Sequence, residues 1–236
     1  MQTVRETDNL YRLTRLGVFN CFLVRENDEL TLVDTNLPGS ADAILQAARS
    51  LGYPIARIAL THAHFDHIGS LDALTGVLPD AKLIAGTREA RLLRGDLSLD
   101  AGESGKPLFG FRHVHSQVHT LVNDGDQLGS LRVVACPGHT PGHIAFLDCR
   151  DNSLLAGDSF MTQKGVMAAG TLDLLFPMPA IFSWNNELSA RSAARLAAIE
   201  PSRLAVGHGK TVESPAAQME RAAEIAIRQH PGARNR

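Results

Sequence analysis

The stretch THAHFDHIGS, residues 61–70, constrains this chain more than any other. It puts His62, His64, Asp66 and His67 within six consecutive positions. All four are good metal ligands, yet one ion rarely takes four ligands from so short a run, because the backbone cannot fold that tightly around it. The apolar run IARIALTH (55–62) leads into the cluster and reads as a buried strand. His62 and His64 stand two apart at that strand end, so both side chains project to the same face and suit one ion. Asp66 and His67 follow where the strand turns into a helix, and from there they address a neighbouring position. The segment is built for two adjacent sites, each half supplied.

The missing ligands belong at other strand ends. His139 sits in CPGHTPGH, Asp158 in LLAGDS and His208 in LAVGHG, each after an apolar run and beside a glycine. Strand, glycine, then a polar side chain is how a chain brings a ligand to the rim of a sheet. The full series is H-x-H-x-D-H, then 71 intervening residues to His139, 18 to Asp158 and 49 to His208.

The rest of the chain gives that series a setting. Residues 18–26 and 29–36 read as strands joined by a turn at Asn27-Asp28, and 40–53 as a helix with Ser40 as its cap and Gly52 at its end. Helical patterns follow at 67–78 and at 87–95, the latter capped by Thr87, with a short strand at 81–86 between them. The stretch 96–124 is irregular, 125–138 is a hairpin arm, and 142–159 is a hairpin turning at Asp151-Asn152. Residues 160–184 are apolar without a clear period. A helix over 185–200 stops at Pro201, a strand covers 202–209, and a last helix covers 214–230 with Ser214 as cap and Pro215 at its first position. With no linker and no repeat, 236 residues of this pattern predict one domain, residues 1–236, in which two sheets pack together under flanking helices.

Composition narrows the function classes. The formal net charge of −2 offers no surface suited to nucleic acid or to an anionic membrane. Ten histidines against two tyrosines and one tryptophan point toward metal chemistry. Cys21, Cys136 and Cys149 have neither zinc-finger nor disulfide spacing and read as small hydrophobes in a reducing compartment. The N-terminus, MQTVRETDNLYRL, is polar and of mixed charge, unlike a signal peptide, and no apolar run is long enough to cross a bilayer. The expected location is the cytoplasm.

The five motifs in series resemble those of the metallo-β-lactamase superfamily of metallohydrolases, over nearly the whole chain from FNCFLVRE and LVDTN to VGHG. The resemblance implies an α/β (α+β) fold, a four-layer αββα sandwich of two mixed β-sheets flanked by helices. It implies two divalent metal ions, zinc first, with iron or manganese as alternatives. His62, His64 and His139 would bind one, Asp66, His67 and His208 the other, and Asp158 would bridge them. A hydroxide shared by the two metals would attack the carbonyl of an ester, lactone or thioester, with Asp66 receiving the proton as ligand and shuttle. His143 would stand behind the ligands, and Asp34 in LVDTN would orient a ligand histidine or the 62–67 loop.

True β-lactamases of this superfamily generally lack the bridging aspartate, so Asp158 favours the glyoxalase II-like and lactonase-like branch, as does CPGHTPGH. The match to either activity is incomplete. Lactonases often carry a tyrosine where this chain has Met161, and the C-terminal helical extension of glyoxalase II has no clear equivalent in the 28 residues after His208. Within 159–184, Phe160, Met161, Met167, Phe176, Met178, Phe182 and Trp184 would either wall a pocket for a small-molecule substrate with an apolar portion or form core or a homodimer interface. The H-x-H of His113 and His115, together with His119, lacks a carboxylate and reads as loop or strand-face residues, and His230 as solvated. The alternative enzyme is a persulfide dioxygenase with a single iron. A β-lactamase and a catalytically idle metal-binding protein follow.

Overall fold

The apolar runs of the sequence become the strands of two mixed sheets. A computed structural model describes residues 1–234. Its backbone contacts divide the chain into two units, one of Met1–Asp96 with Gly110–Val122, the other of Leu97–Phe109 with everything from Asn123 on.

The first unit holds a seven-stranded sheet whose spatial order is the chain order. The strands are β1 (Gln2–Arg5), β2 (Leu10–Arg15), β3 (Phe19–Arg25), β4 (Leu30–Val33), β5 (Ile55–Ala59), β6 (Lys82–Gly86) and β7 (Thr120–Val122). β1 to β4 pair antiparallel through short turns, and β4 to β7 pair parallel. Parallel neighbours need long crossovers. They are α1 (Ala41–Leu51), the pair α2 (Phe65–Ile68) and α3 (Leu71–Val77), and α4 (Thr87–Leu93) with the segment after it. Every residue of β4 is buried, as a strand covered on both faces requires. α1 turns Ile44 and Ala48 inward and ends at Gly52, whose φ of 81° is the left-handed C-cap conformation.

The second unit holds a six-stranded sheet of order β15-β14-β11-β10-β9-β8. Its strands are β8 (Gln127–Leu128), β9 (Leu131–Ala135), β10 (Ile144–Asp148), β11 (Ser153–Leu155), β14 (Arg203–Ala205) and β15 (Val212–Glu213), with β12 (Phe160–Met161) and β13 (Met167–Ala168) as a separate pair. Only β11 and β14 run parallel in this sheet, which is therefore mixed as well. Its helices are α5 (Met178–Ile181), α6 (Asn186–Ala197) and α7 (Ala216–Gln229). α6 is capped by Asn185, whose side chain accepts the N–H of Leu188. The core gathers Ala190, Ala193 and Leu196 of α6 with Met219, Ala222 and Ala226 of α7. Small residues on both helices let their axes approach.

Several local expectations change. The N-terminal polar stretch is the hairpin β1/β2, mostly exposed on β1, so it lacks the apolar pattern that marks a buried strand. The helix expected over 67–78 splits at Gly69 and Ser70. A Cβ on Gly69 would stand 2.4 Å from Pro38 Cδ, so this glycine admits the 36–38 loop, and Ser70 Oγ accepts the N–H of Ser40. Ser40 holds the N-cap position of α1 as expected, but its hydroxyl accepts from Arg15 and makes no capping bond. Thr87 and Ser214 are not caps: Gly86 and Pro215 hold those positions. β7, β12, β13 and β15 are too short to show a period.

Candidate metal centre

In the first unit, His62, His64, Asp66 and His67 lie in the turn between β5 and α2 and in α2 itself, just past the parallel strand rather than on it. The ligand atoms of His62 and His64 lie within 4.8 Å of each other, as do those of Asp66 and His67. The rings of His62 and His67 are 4.0 Å apart, centroid to centroid. Three of the four side chains are buried, and Asp66 is the more open one, with 13% of its side chain exposed. His64 lies against Phe111, ring centroids 5.0 Å apart, where Phe65 N–H donates to Gly110 O.

The buried carboxylate of Asp34, one residue past β4, organises this turn. Its Oδ1 accepts the N–H of Thr61 at 2.8 Å, and its Oδ2 accepts the Thr61 hydroxyl and His67 Nδ1, each at 2.8 Å. A carboxylate has no proton to give, so His67 carries its proton on Nδ1 and has its lone pair on Nε2. The same logic runs one step further. Thr61 Oγ1 spends its proton on Asp34, so at 3.0 Å it accepts from His62 Nδ1, and His62 too presents a basic Nε2. Asp34 therefore sets the tautomers of two histidines, one directly and one through Thr61. It sits at φ 61°, a left-handed conformation that Asp and Asn tolerate better than other side chains.

In the second unit the parallel pair β11/β14 aligns Leu155 with Ala205, and Asp158 and His208 lie three residues beyond those paired ends. Ala156 N–H to Ala205 O and Gly207 N–H to Gly157 O carry the register past the strands. Asp158 Oδ2 stands 3.0 Å from His208 Nε2 and 3.4 Å from His139 Nε2. One carboxylate oxygen thus faces both histidines of this unit's half-set. His139 is held by its backbone carbonyl, which accepts from Trp184 N–H, while Ser183 Oγ lies 3.5 Å from its Nδ1. Gly138, at φ 136°, lets the turn press onto α6, where a Cβ would meet Ser189 N at 2.3 Å. Behind Asp158, the buried ring of His143 accepts the Asp158 N–H on Nε2 at 3.1 Å and turns Nδ1 toward Cys136 Sγ at 3.1 Å.

This donor set fits a borderline divalent ion. The side chains are imidazole and carboxylate, mostly buried, and two of the imidazoles have Nδ1 fastened so that Nε2 points the other way.

Residues 15–208 match the family described as the metallo-beta-lactamase superfamily. The chain belongs to the metallo-β-lactamase superfamily. Bacillus subtilis YobT is 45% identical over 209 residues, covering 88% of this chain and 90% of its own. YflN of the same organism, named a probable metallo-hydrolase, is 33% identical over 82% of this chain and 80% of its own. The hydroxyacylglutathione hydrolase of Aeromonas hydrophila is 31% identical over 63% of this chain and 53% of its own length. Among solved structures, TTHA1623, described in a di-iron-bound form, aligns with a TM-score of 0.64 and 25% identity over 87% of this chain and 94% of that one. The fold is thus the metallo-β-lactamase fold, two mixed sheets with helices, and the chain is of the metallohydrolase class.

The remaining histidines of the sequence are held by local bonds. His119 Nδ1 accepts the Leu83 N–H while its own N–H donates to Leu83 O, so it extends the β6/β7 pairing. The His115 and Ser116 N–H groups donate to Asp72. His113 and His115 rings lie 5.3 Å apart beside a cleft lined also by Arg94 and Gln117. His230, expected to be solvated, is part-buried and donates to Gly170 O from Nε2. In the apolar segment, Phe160 is core, and Met161 and Trp184 are buried. Leu174, Leu175, Met178 and Ile181 are exposed, and Phe182 lies 5.7 Å from Phe109, ring to ring. Sequence reasoning missed Thr61 and Ser183, whose places beside His62 and His139 are read only from distances.

Proposed function

We propose that the two units work as one domain, a hydrolase of small-molecule esters, lactones or thioesters with two divalent metal ions, zinc in the first instance. His62, His64 and His139 would hold one ion, Asp66, His67 and His208 the other, and Asp158 would serve both. The observation that carries the reading is Asp158 Oδ2 facing His139 and His208 together, because these two belong to different ligand sets. When bound, such ions supply Lewis acidity, lowering the pKa of water and polarising a carbonyl.

The chain's own residues do the rest. Asp34 and Thr61 keep His62 and His67 in the ligating tautomer. Asp66, the most open carboxylate of the set, takes the proton that attack releases and passes it to solvent. The exposed apolar side chains of residues 172–181 suit an acyl or alkyl portion of the substrate. The hydroxyacylglutathione hydrolases among its relatives favour thioesters within this range. The proposed location is the cytoplasm, where the three free cysteines would stay reduced; no helix among the described residues is long and apolar enough to cross a membrane.

The test is turnover of thioesters, lactones, aryl esters, phosphodiesters and a β-lactam by metal-loaded protein, beside His62→Ala and Asp158→Ala. Thioester or lactone turnover lost in both variants is expected. Turnover kept in both variants, or thiol-dependent oxygen uptake with one iron per chain, overturns the reading.

A further inference from the structure

Glu89 is a carboxyl side chain with no exposure at all, the third residue of α4, outside every ligand motif of the sequence. Its Oε2 accepts the N–H of Ala63 at 2.9 Å. Ala63 is the residue between His62 and His64, and is itself buried. We infer that Glu89 is the positioning residue for the His62-x-His64 ligand pair, holding the peptide between the two imidazoles so that both reach one ion.

The physical grounds are local. Residues 61–63 have left β5, so their amides must be fixed by other acceptors, while His64 beyond them forms an isolated antiparallel bridge with Phe111. Asp34 takes the amide of Thr61, and Glu89 takes the amide two residues on. A rotation of the Ala63 peptide would swing both ligands at once, whereas Asp66 and His67 lie in α2, where Asp34 holds the His67 ring and the Thr35 hydroxyl holds its carbonyl. Glu89 therefore acts on one ligand pair and not the other. Groups behind metal ligands commonly alter metal affinity by about 10–100-fold when removed.

This inference rests on the metal-binding reading of the site. The experiment separates reach from charge. Glu89→Gln keeps the length and an acceptor oxygen but loses the charge, and Glu89→Asp keeps the charge but falls one methylene short. Each purified, metal-free variant is checked for folding by circular dichroism and titrated with Zn²⁺ against a chromophoric chelator. The expected result is Gln within about 3-fold of wild type at both metal steps and Asp weakened about 10-fold or more at one step only. Co²⁺ spectra should change in Asp and not in Gln. Wild-type affinities in Asp, equal weakening of both steps, or Gln weakened as much as Asp overturns the inference while leaving the metal site intact. Failure of the wild type itself to bind metal overturns the reading beneath it.

Discussion

Replacing Asp34 by Asn exchanges one carboxylate oxygen for an NH₂ group at nearly constant shape, in a backbone conformation that Asn also accepts. Asn Oδ1 can still take the Thr61 amide, while Nδ2 must face Thr61 Oγ1 and His67 Nδ1. Both can then only accept. His67 shifts its proton to Nε2, and Thr61, its hydroxyl proton freed, donates to His62 Nδ1 and moves that proton too. One charge-assisted bond is lost, about 1.5–3 kcal/mol of stability in the metal-free protein. Metal affinity falls about 10–100-fold, because each ligand must reverse its tautomer before binding. Long-range ¹H–¹⁵N correlation on histidine-labelled, metal-free protein reads the tautomers directly, urea unfolding reads the stability, and chelator competition reads the affinity. Asp34→Asn with His67 still protonated on Nδ1 and with wild-type metal affinity would refute the reasoning.

Three further outcomes follow from other parts of the chain. Burial alone would raise the Asp72 carboxyl, but the Ser116 hydroxyl and the backbone N–H groups of His115 and Ser116 outweigh it and hold the group below its ordinary value. Its contribution to stability is complete above the unfolded value near about 3.9 and is lost as pH falls through the folded one. The stability gap between wild type and Asp72→Asn should accordingly close on acidification below that point, and a gap that widens contradicts the assignment. Burial, and then the Asp34 charge, push the Cys21 thiol far up, so iodoacetamide should label exposed Cys149 in the native protein and reach Cys21 only after unfolding; equal labelling rates would count against this. Gly138→Ala adds a Cβ against the Ser189 backbone at positive φ and should cost at least about 2 kcal/mol in thermal or urea unfolding, and an unchanged midpoint would be the contrary result.

The candidate site was legible in the sequence because its histidines and aspartates stand in short motifs at strand ends, and strand ends are where apolar runs stop. That rule singles out His139, Asp158 and His208, and the structure sets Asp158 against the other two. Asp34 was legible as an orienting group, but its reach through Thr61 to His62 was not, since a hydroxyl relay leaves no pattern along the chain. Glu89 was invisible for a plainer reason: at the third position of a helix a glutamate reads as solvated, and only the fold reveals that it is buried against Ala63. The long strands and the helices over 40–53 and 185–200 were readable from their periods and ends. The hairpin β1/β2 and the strands of two or three residues were not, because edge exposure and short length erase the alternation. In 159–184 apolar composition was visible, but the division between buried Phe160 and exposed Leu174 follows from packing alone.

The most direct test of the central claim is metal content at equilibrium in the purified protein and in single-ligand variants. The account predicts two divalent ions per chain in the wild type, one weakened selectively by His62→Ala, the other selectively by His208→Ala, and both by Asp158→Ala. A single ion per chain that survives His208→Ala, or a wild-type protein that binds none, would contradict it.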